Sequence, residues 1–278
     1  MLKIEDKKID NNRPIRIPIF GKHIGISEHP CLSPVLRYAK NAVIEVQKGN
    51  QRALDVASIF KYICPIVEID KPEYQWDSNI DCYPKKSSFT HMVCNFFDIF
   101  GIEGDNLAPF IKLTEEELNI AFDLIKGYKK PCIVFSPICG GFENNDKLAL
   151  AKMLPENLWI ELLEELSKKY TILYTGKGLN YKPLNFTVPI FNLKIRELAA
   201  LICVCGKLLG SESGLMHLGL STGAFCHVII PTKGYLAIDA NNGTFFQNYE
   251  YKDSMFKYQT KKIRYYLFNE YKDVLNYL

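Results

Sequence analysis

Residues 205–231, CGKLLGSESGLMHLGLSTGAFCHVIIP, constrain this chain more than any other stretch. They read as a buried strand, a short polar turn, a glycine-punctuated helix and another buried strand. Leu208 and Leu209 stop at Gly210, Ser211-Glu212-Ser213-Gly214 forms the turn, and Leu215 to Thr222 winds into the helix. Such a unit places a site at the carboxyl end of its strand. The first N–H groups of the helix lack intrahelical partners, and together with the helix dipole they favour an anion, most simply a phosphate.

The same α/β rhythm runs along the chain. Before Lys130, β-like segments at Ile15–Phe20, Val43–Val46 and Ile66–Ile69 alternate with helical patterns at Val35–Lys40, Arg52–Phe60 and Thr90–Phe100. Thr114-Glu-Glu-Glu opens a helix through Leu124, because Thr114 can cap the N–H of Glu117 while Glu117 reaches back. Gly127-Tyr-Lys-Lys-Pro131 follows as a polar break and hinge. The pattern then restarts with a strand at Cys132–Ser136, a helix from Pro155 to Lys169, a strand at Thr171–Thr175 and a helix over Ile195–Cys203. In the segment Lys261–Leu278, Ile263, Leu267, Tyr271, Val274 and Leu278 recur at helical spacing and predict one packed apolar face. The organisation expected is 1–128, 129–245 and a C-terminal helical segment, 246–278.

Composition closes several other routes. A chain of 278 residues, 47% hydrophobic and 23% charged, builds one large or two modest globular domains. A net charge of +3, with both signs mixed, argues against a nucleic-acid footprint. The longest apolar runs fall short of the roughly 20 residues that span a bilayer, and the polar start MLKIEDKKIDNN is no signal peptide. The expected location is cytoplasmic. The aromatic face near the C-terminus reads as core, with peripheral contact at the inner membrane surface as its alternative. Nine cysteines without a CxxC pair fit reduced, buried thiols, and Cys203 and Cys205 read as core rather than metal ligands.

In the second half, the loops Ser136–Gly141, Thr175–Gly178 and Gly210–Gly214 all leave the carboxyl ends of their strands. In a parallel sheet they converge on one rim, where glycine lets backbone N–H groups approach a ligand closely. No GxGxxG or Walker-A sequence is present. The alternative is that these glycines only close tight connections.

Glu212-Ser-Gly-Leu-Met-His-Leu-Gly-Leu-Ser-Thr-Gly223 resembles the D-T/S-G-P-M-H-L-A-A-A-x-G signature of the ADP-heptose:lipopolysaccharide heptosyltransferases, glycosyltransferase family 9. Lys152-Met-Leu-Pro-Glu-Asn-Leu-Trp159 is similar to the family's K-x-W-P-x-x-x-W helix start, and Arg196-Glu-Leu-Ala-Ala-Leu to its L-x-E-L-A-A-L helix. Phe110–Glu117 leading into Pro131–Pro137 resembles the family's interdomain junction, and Ser33-Pro34-Val-Leu-Arg-Tyr-Ala39 an element of its first domain. The resemblance implies a GT-B architecture of two Rossmann-like domains facing each other across a cleft, the N-terminal one shortened. The donor would sit mainly on the C-terminal domain and the acceptor on the N-terminal one, with the C-terminal helical segment 246–278 packing back on the N-terminal domain.

The roles that follow are those the resemblance implies. The family's catalytic aspartate falls on Glu28, six positions before Pro34, as general base for the acceptor hydroxyl. Apart from the resemblance, His29 is the rival base by its ordinary pKa near neutrality, with a surface or capping histidine as the alternative. Lys152 meets the donor phosphates, and Ser213 and Gly214 offer donors to them at the helix start. Ser136, Gly140, Gly141 and Gly176 line the same rim. Glu212 faces donor sugar hydroxyls, and His217 either faces the ligand or is a core histidine. No metal is demanded and no cofactor is expected; the co-substrate is a nucleoside-diphosphate sugar, ADP-linked for preference, and the other partner is a glycan or glycolipid acceptor. An inverting heptosyltransferase of surface-glycan synthesis is the leading function. A degenerate binder of nucleotide sugar, or a sugar-nucleotide epimerase or hydrolase, stays open.

Overall fold

The computed structural model describes residues 15–19, 29–71, 104, 106–137, 154–175, 186–230, 233–239, 244–250 and 260–278, with 233–239 and 244–250 as backbone. Short runs of aliphatic and β-branched residues form its strands, and all but one hairpin pair in parallel. In the first half, β1 (Ile15–Ile19), β2 (Ala42–Gln47) and β3 (Ile66–Ile69) lie in that order. A 3-10 turn, His29–Leu32, runs into the short α1 (Ser33–Leu36) between the first two strands. That helix begins and ends earlier than the expected 35–40, because Pro34 pre-sets the helical φ of the first turn. Between β2 and β3, α2 (Gln51–Ala57) is capped by Asn50, whose Oδ1 accepts the Ala53 N–H at 3.0 Å. A 3-10 turn, Ser58–Phe60, extends it. The expected helix at Thr90–Phe100 lies outside the described residues.

The second half opens with α3 (Glu115–Ile125), where both bonds of the predicted capping box form. Then come β4 (Cys132–Ser136), α4 (Glu156–Ser167), β5 (Thr171–Tyr174), β6 (Thr187–Pro189), α5 (Ile195–Cys205), β7 (Lys207–Ser211), α6 (Gly214–Ser221) and β8 (Phe225–Ile230). An antiparallel hairpin, β9 (Lys233–Asp239) and β10 (Thr244–Glu250), precedes β11 (Ile263–Leu267). The second sheet has the order β11-β8-β7-β4-β5-β6, parallel throughout.

Alternate residues of these strands face opposite layers, so both faces are covered. Ile133, Phe135, Ile172 and Leu209 pack under α4 with Trp159, Leu162 and Leu166. Val134, Leu173, Leu208 and Val228 pack under α5 and α6. That second layer is continuous with Ile17, Ile19, Ile44, Val46 and Phe60 of the first half, so the two sheets share one apolar core.

A buried polar joint reinforces it. Arg196, 7% exposed, forks onto Glu117 at 2.6 Å through both Nε and Nη2, and donates to the carbonyls of Ser58 at 3.1 Å and Lys112 at 2.6 Å. Asp55 of α2 accepts the Ile195 N–H at 3.1 Å, capping α5 from the other half.

The C-terminal segment corrects the expected helix that would pack back on residues 1–128. Ile263–Leu267 is a strand beside β8, and Phe268–Asn276 is a 3-10 helix. Tyr266, Tyr271 and Val274 pack into the α4 layer of the second sheet. A spacing of four is two strand pleats as well as about one helical turn, so Ile263 and Leu267 share a face in either conformation. Adjacent Tyr265 and Tyr266, which fill opposite faces, tip the balance to strand.

Candidate functional site

From β4 the sheet grows one way to β5 and β6, and from β7 the other way to β8 and β11. The strand order therefore reverses between β4 and β7, and in open parallel sheets ligands bind beyond the carboxyl ends at such a point. Here those ends are Ser136-Pro137 and Ser211-Glu212-Ser213.

The two strand ends are drawn unusually close. A Cβ built on Gly210 would stand 2.2 Å from the Ser136 carbonyl oxygen, so only glycine fits. One residue on, the Ser211 hydroxyl donates to the Pro137 carbonyl at 2.9 Å. Ser213 then caps α6 in an extended conformation, φ −161° and ψ 173°, without a side-chain cap bond. The leading amides of α6 thus open at the switch point with no intrahelical acceptor. The helix is pressed onto the sheet, since a Cβ on Gly219 would meet Leu208 Cδ2 at 2.7 Å and Cys226 Sγ at 2.9 Å.

Polar side chains gather on this rim in a buried state that apolar packing alone does not require. Ser136, Ser211, Glu212 and Thr175 are all at most 4% exposed. The Thr175 amide donates to the Phe135 carbonyl at 2.9 Å, which sets it beside the end of β4. Its Oγ1 is buried with no hydrogen-bond partner among the described residues. Leaving a hydroxyl so costs about 1–3 kcal/mol, a cost that a ligand acceptor or donor removes. Behind the rim stand Trp159, Phe135, Tyr174 and Phe191, with ring centroids 5.0–5.8 Å apart in successive pairs.

Ser136, Glu212, Ser213 and Gly214 thus stand at the adjoining ends of β4 and β7. His217 is buried at 2% exposure, its Nδ1 lying 3.3 Å from the thiol of Cys31. That contact brings a side chain of the first half against α6. His29 is buried as well, at 7%, where it opens the 3-10 turn that packs on α6. Glu28, Lys152, Gly140, Gly141 and Gly176 lie outside the described residues.

Sequence reasoning missed the Thr175 hydroxyl and Cys31. The first had a signal in its place at a strand end, before Gly176; the second had none. Cys203 and Cys205 are half-buried thiols: Cys203 Sγ lies 3.7 Å from the Thr222 carbonyl, and burial pushes the Cys205 thiol up to about 12. Among the described residues no group of three or more His, Cys, Asp or Glu side chains is placed to hold a metal ion. No helix among them is long and apolar enough to cross a membrane.

No protein-family model and no curated protein sequence matches this chain. Solved structures do. The glycosyl transferase family 9 protein from Veillonella parvula superposes with a TM-score of 0.62 over 92% of this chain and 86% of its own, at 12% identity. The E. coli heptosyltransferase WaaC, solved with ADP, gives 0.57 over 95% and 98% at 11% identity. E. coli ADP-heptose LPS heptosyltransferase II gives 0.50 over 89% and 76% at 15% identity. With its paired α/β sheets and a doubly wound second half, the chain is built on the GT-B-type fold of the family 9 heptosyltransferases.

Proposed function

We propose that this chain is an inverting, metal-independent glycosyltransferase that moves a heptose or related sugar from a nucleoside diphosphate to a hydroxyl of a surface glycan. The acceptor is of lipopolysaccharide or lipooligosaccharide type, and the donor is ADP-linked for preference. One observation carries the reading. The helix start at Ser213 and Gly214, which bears the resemblance to the family 9 signature, opens at the sheet's switch point behind the close approach of Gly210 to Ser136. A diphosphate is the anion that such a helix end suits.

The residues divide the work as follows. The leading amides of α6 and the Ser213 hydroxyl receive the diphosphate, and the ammonium of Lys152 balances the charge that grows on it as it leaves. Glu212, buried before α6, holds sugar hydroxyls, and Thr175 supplies a further donor at the same rim. The acceptor oxygen attacks the anomeric carbon as the bond to the diphosphate oxygen breaks; its proton passes to Glu28, or to His29. Residues 1–128 present the acceptor, and 129–245 the donor.

A thermal-shift and calorimetric screen against ADP-, GDP-, UDP- and CDP-sugars tests the donor half. The expected result is an ADP-sugar that raises apparent stability by about 2–4 kcal/mol at 100 to 1,000 times its dissociation constant. A flat response to all four overturns the reading. For the transfer half, Glu28→Gln is expected to keep donor binding and lose transfer; unchanged turnover removes Glu28 from the mechanism.

A further inference from the structure

Cys31 and His217 stand 186 residues apart in sequence, yet their side chains meet at 3.3 Å inside the protein. Cys31 is 0% exposed and His217 2%. One belongs to the 3-10 turn that begins with His29, next after Glu28; the other lies three residues past Gly214 in α6. The contact therefore joins the turn that follows the candidate base to the helix whose start receives the donor.

A second tie runs from Ser33, the first residue of α1 just after that turn, to the far end of α6. Within the strip 106–114, the Phe110 N–H donates to Ser33 Oγ of α1 at 2.8 Å, and the Ile111 N–H to the Ser221 carbonyl of α6 at 3.0 Å. A single tie would fix a distance; two fix an angle as well. Because α6 is itself pressed on the sheet at Gly219, its imidazole is a fixed post against which the turn is set.

We infer that Cys31 and His217 are a positioning pair, which holds the turn after Glu28 at a set distance and angle from the donor-receiving end of α6. The inference rests on the donor reading above. With the near tie cut, the far tie keeps the fold while the turn pivots, and a displacement of that kind is felt in turnover more than in donor affinity.

Cys31→Ala is expected to leave the donor dissociation constant within about twofold and to lower kcat at least about tenfold. Cys31→Ser, whose hydroxyl keeps a bond to Nδ1, is expected to recover kcat to within about threefold of the parent. A kcat within about twofold of the parent in Cys31→Ala overturns the pair, as does loss in both variants with no recovery by serine. Hydrogen exchange reads the pair without any donor. In Cys31→Ala, protection should fall in residues 29–32 and 213–217 and hold in 218–221, where the second tie remains. Uniform loss, or none, overturns the inference. A parent protein that takes up no sugar nucleotide overturns the donor reading alone, and the exchange pattern still decides the pair.

Discussion

Gly210 and Gly219 show how differently two crowded glycines tolerate a methyl group. At Gly210 the obstacle is the backbone oxygen of Ser136, which cannot swing aside; at Gly219 it is the tips of Leu208 and Cys226, which can. Gly210→Ala is expected to destabilise by about 3 kcal/mol or more and to part the strand ends that form the site. Gly219→Ala should cost about 1 kcal/mol, with the site intact. Urea midpoints together with nucleotide binding separate the two outcomes. Gly210 was legible because it ends an apolar run before a polar turn, a local signal. The Cys31–His217 contact was not, since nothing near either residue in sequence announces a partner 186 positions away.

At the scale of the element, legibility followed local cause. The α3 start was readable because a capping box is written in four consecutive residues: Thr114 Oγ1 accepts the Glu117 N–H at 3.2 Å, and Glu117 Oε2 accepts the Thr114 N–H at 2.8 Å. Thr114→Ala is expected to cost about 1 kcal/mol, measured by denaturant unfolding. Glu117→Gln should cost more than that, because Arg196, chiefly through its hydrogen bonds, holds this carboxyl below the usual range even as burial opposes it. β4 and β3 were readable to the residue as short aliphatic runs bounded by polar or proline breaks. β11 was not, because its spacing of four satisfied two periodicities at once, and the choice lay with β8, a neighbour that no local pattern reveals.

For the molecule as a whole, the continuous core and the Arg196 joint predict one cooperative transition in place of separate melting of the two sheets. Arg196→Met takes the guanidinium away from the half-buried Glu117 carboxylate and two carbonyls, and is expected to lower stability by about 3 kcal/mol. Acid should weaken the fold through His227, which is 1% exposed and 2.8 Å from the Tyr266 hydroxyl. Burial first, then Lys207 and Arg264, push its pKa down to about 4. An unfolded histidine takes a proton near pH 6.5, so this contribution is whole above that pH and is lost as pH falls toward 4. The loss amounts to about 3 kcal/mol. His227→Gln should flatten that part of the pH–stability curve; an unchanged curve would remove His227 as its cause.

The Arg196 joint also bears on how such a protein can diversify. Exchanging the first sheet for that of another protein would strip α5 of the Asp55 carboxylate and the Ser58 carbonyl that receive it, so a chimera inherits a guanidinium short of one acceptor and an Ile195 N–H short of its own. New binding preferences are therefore more accessible through changes confined to loops at the carboxyl rim than through recombination of whole halves.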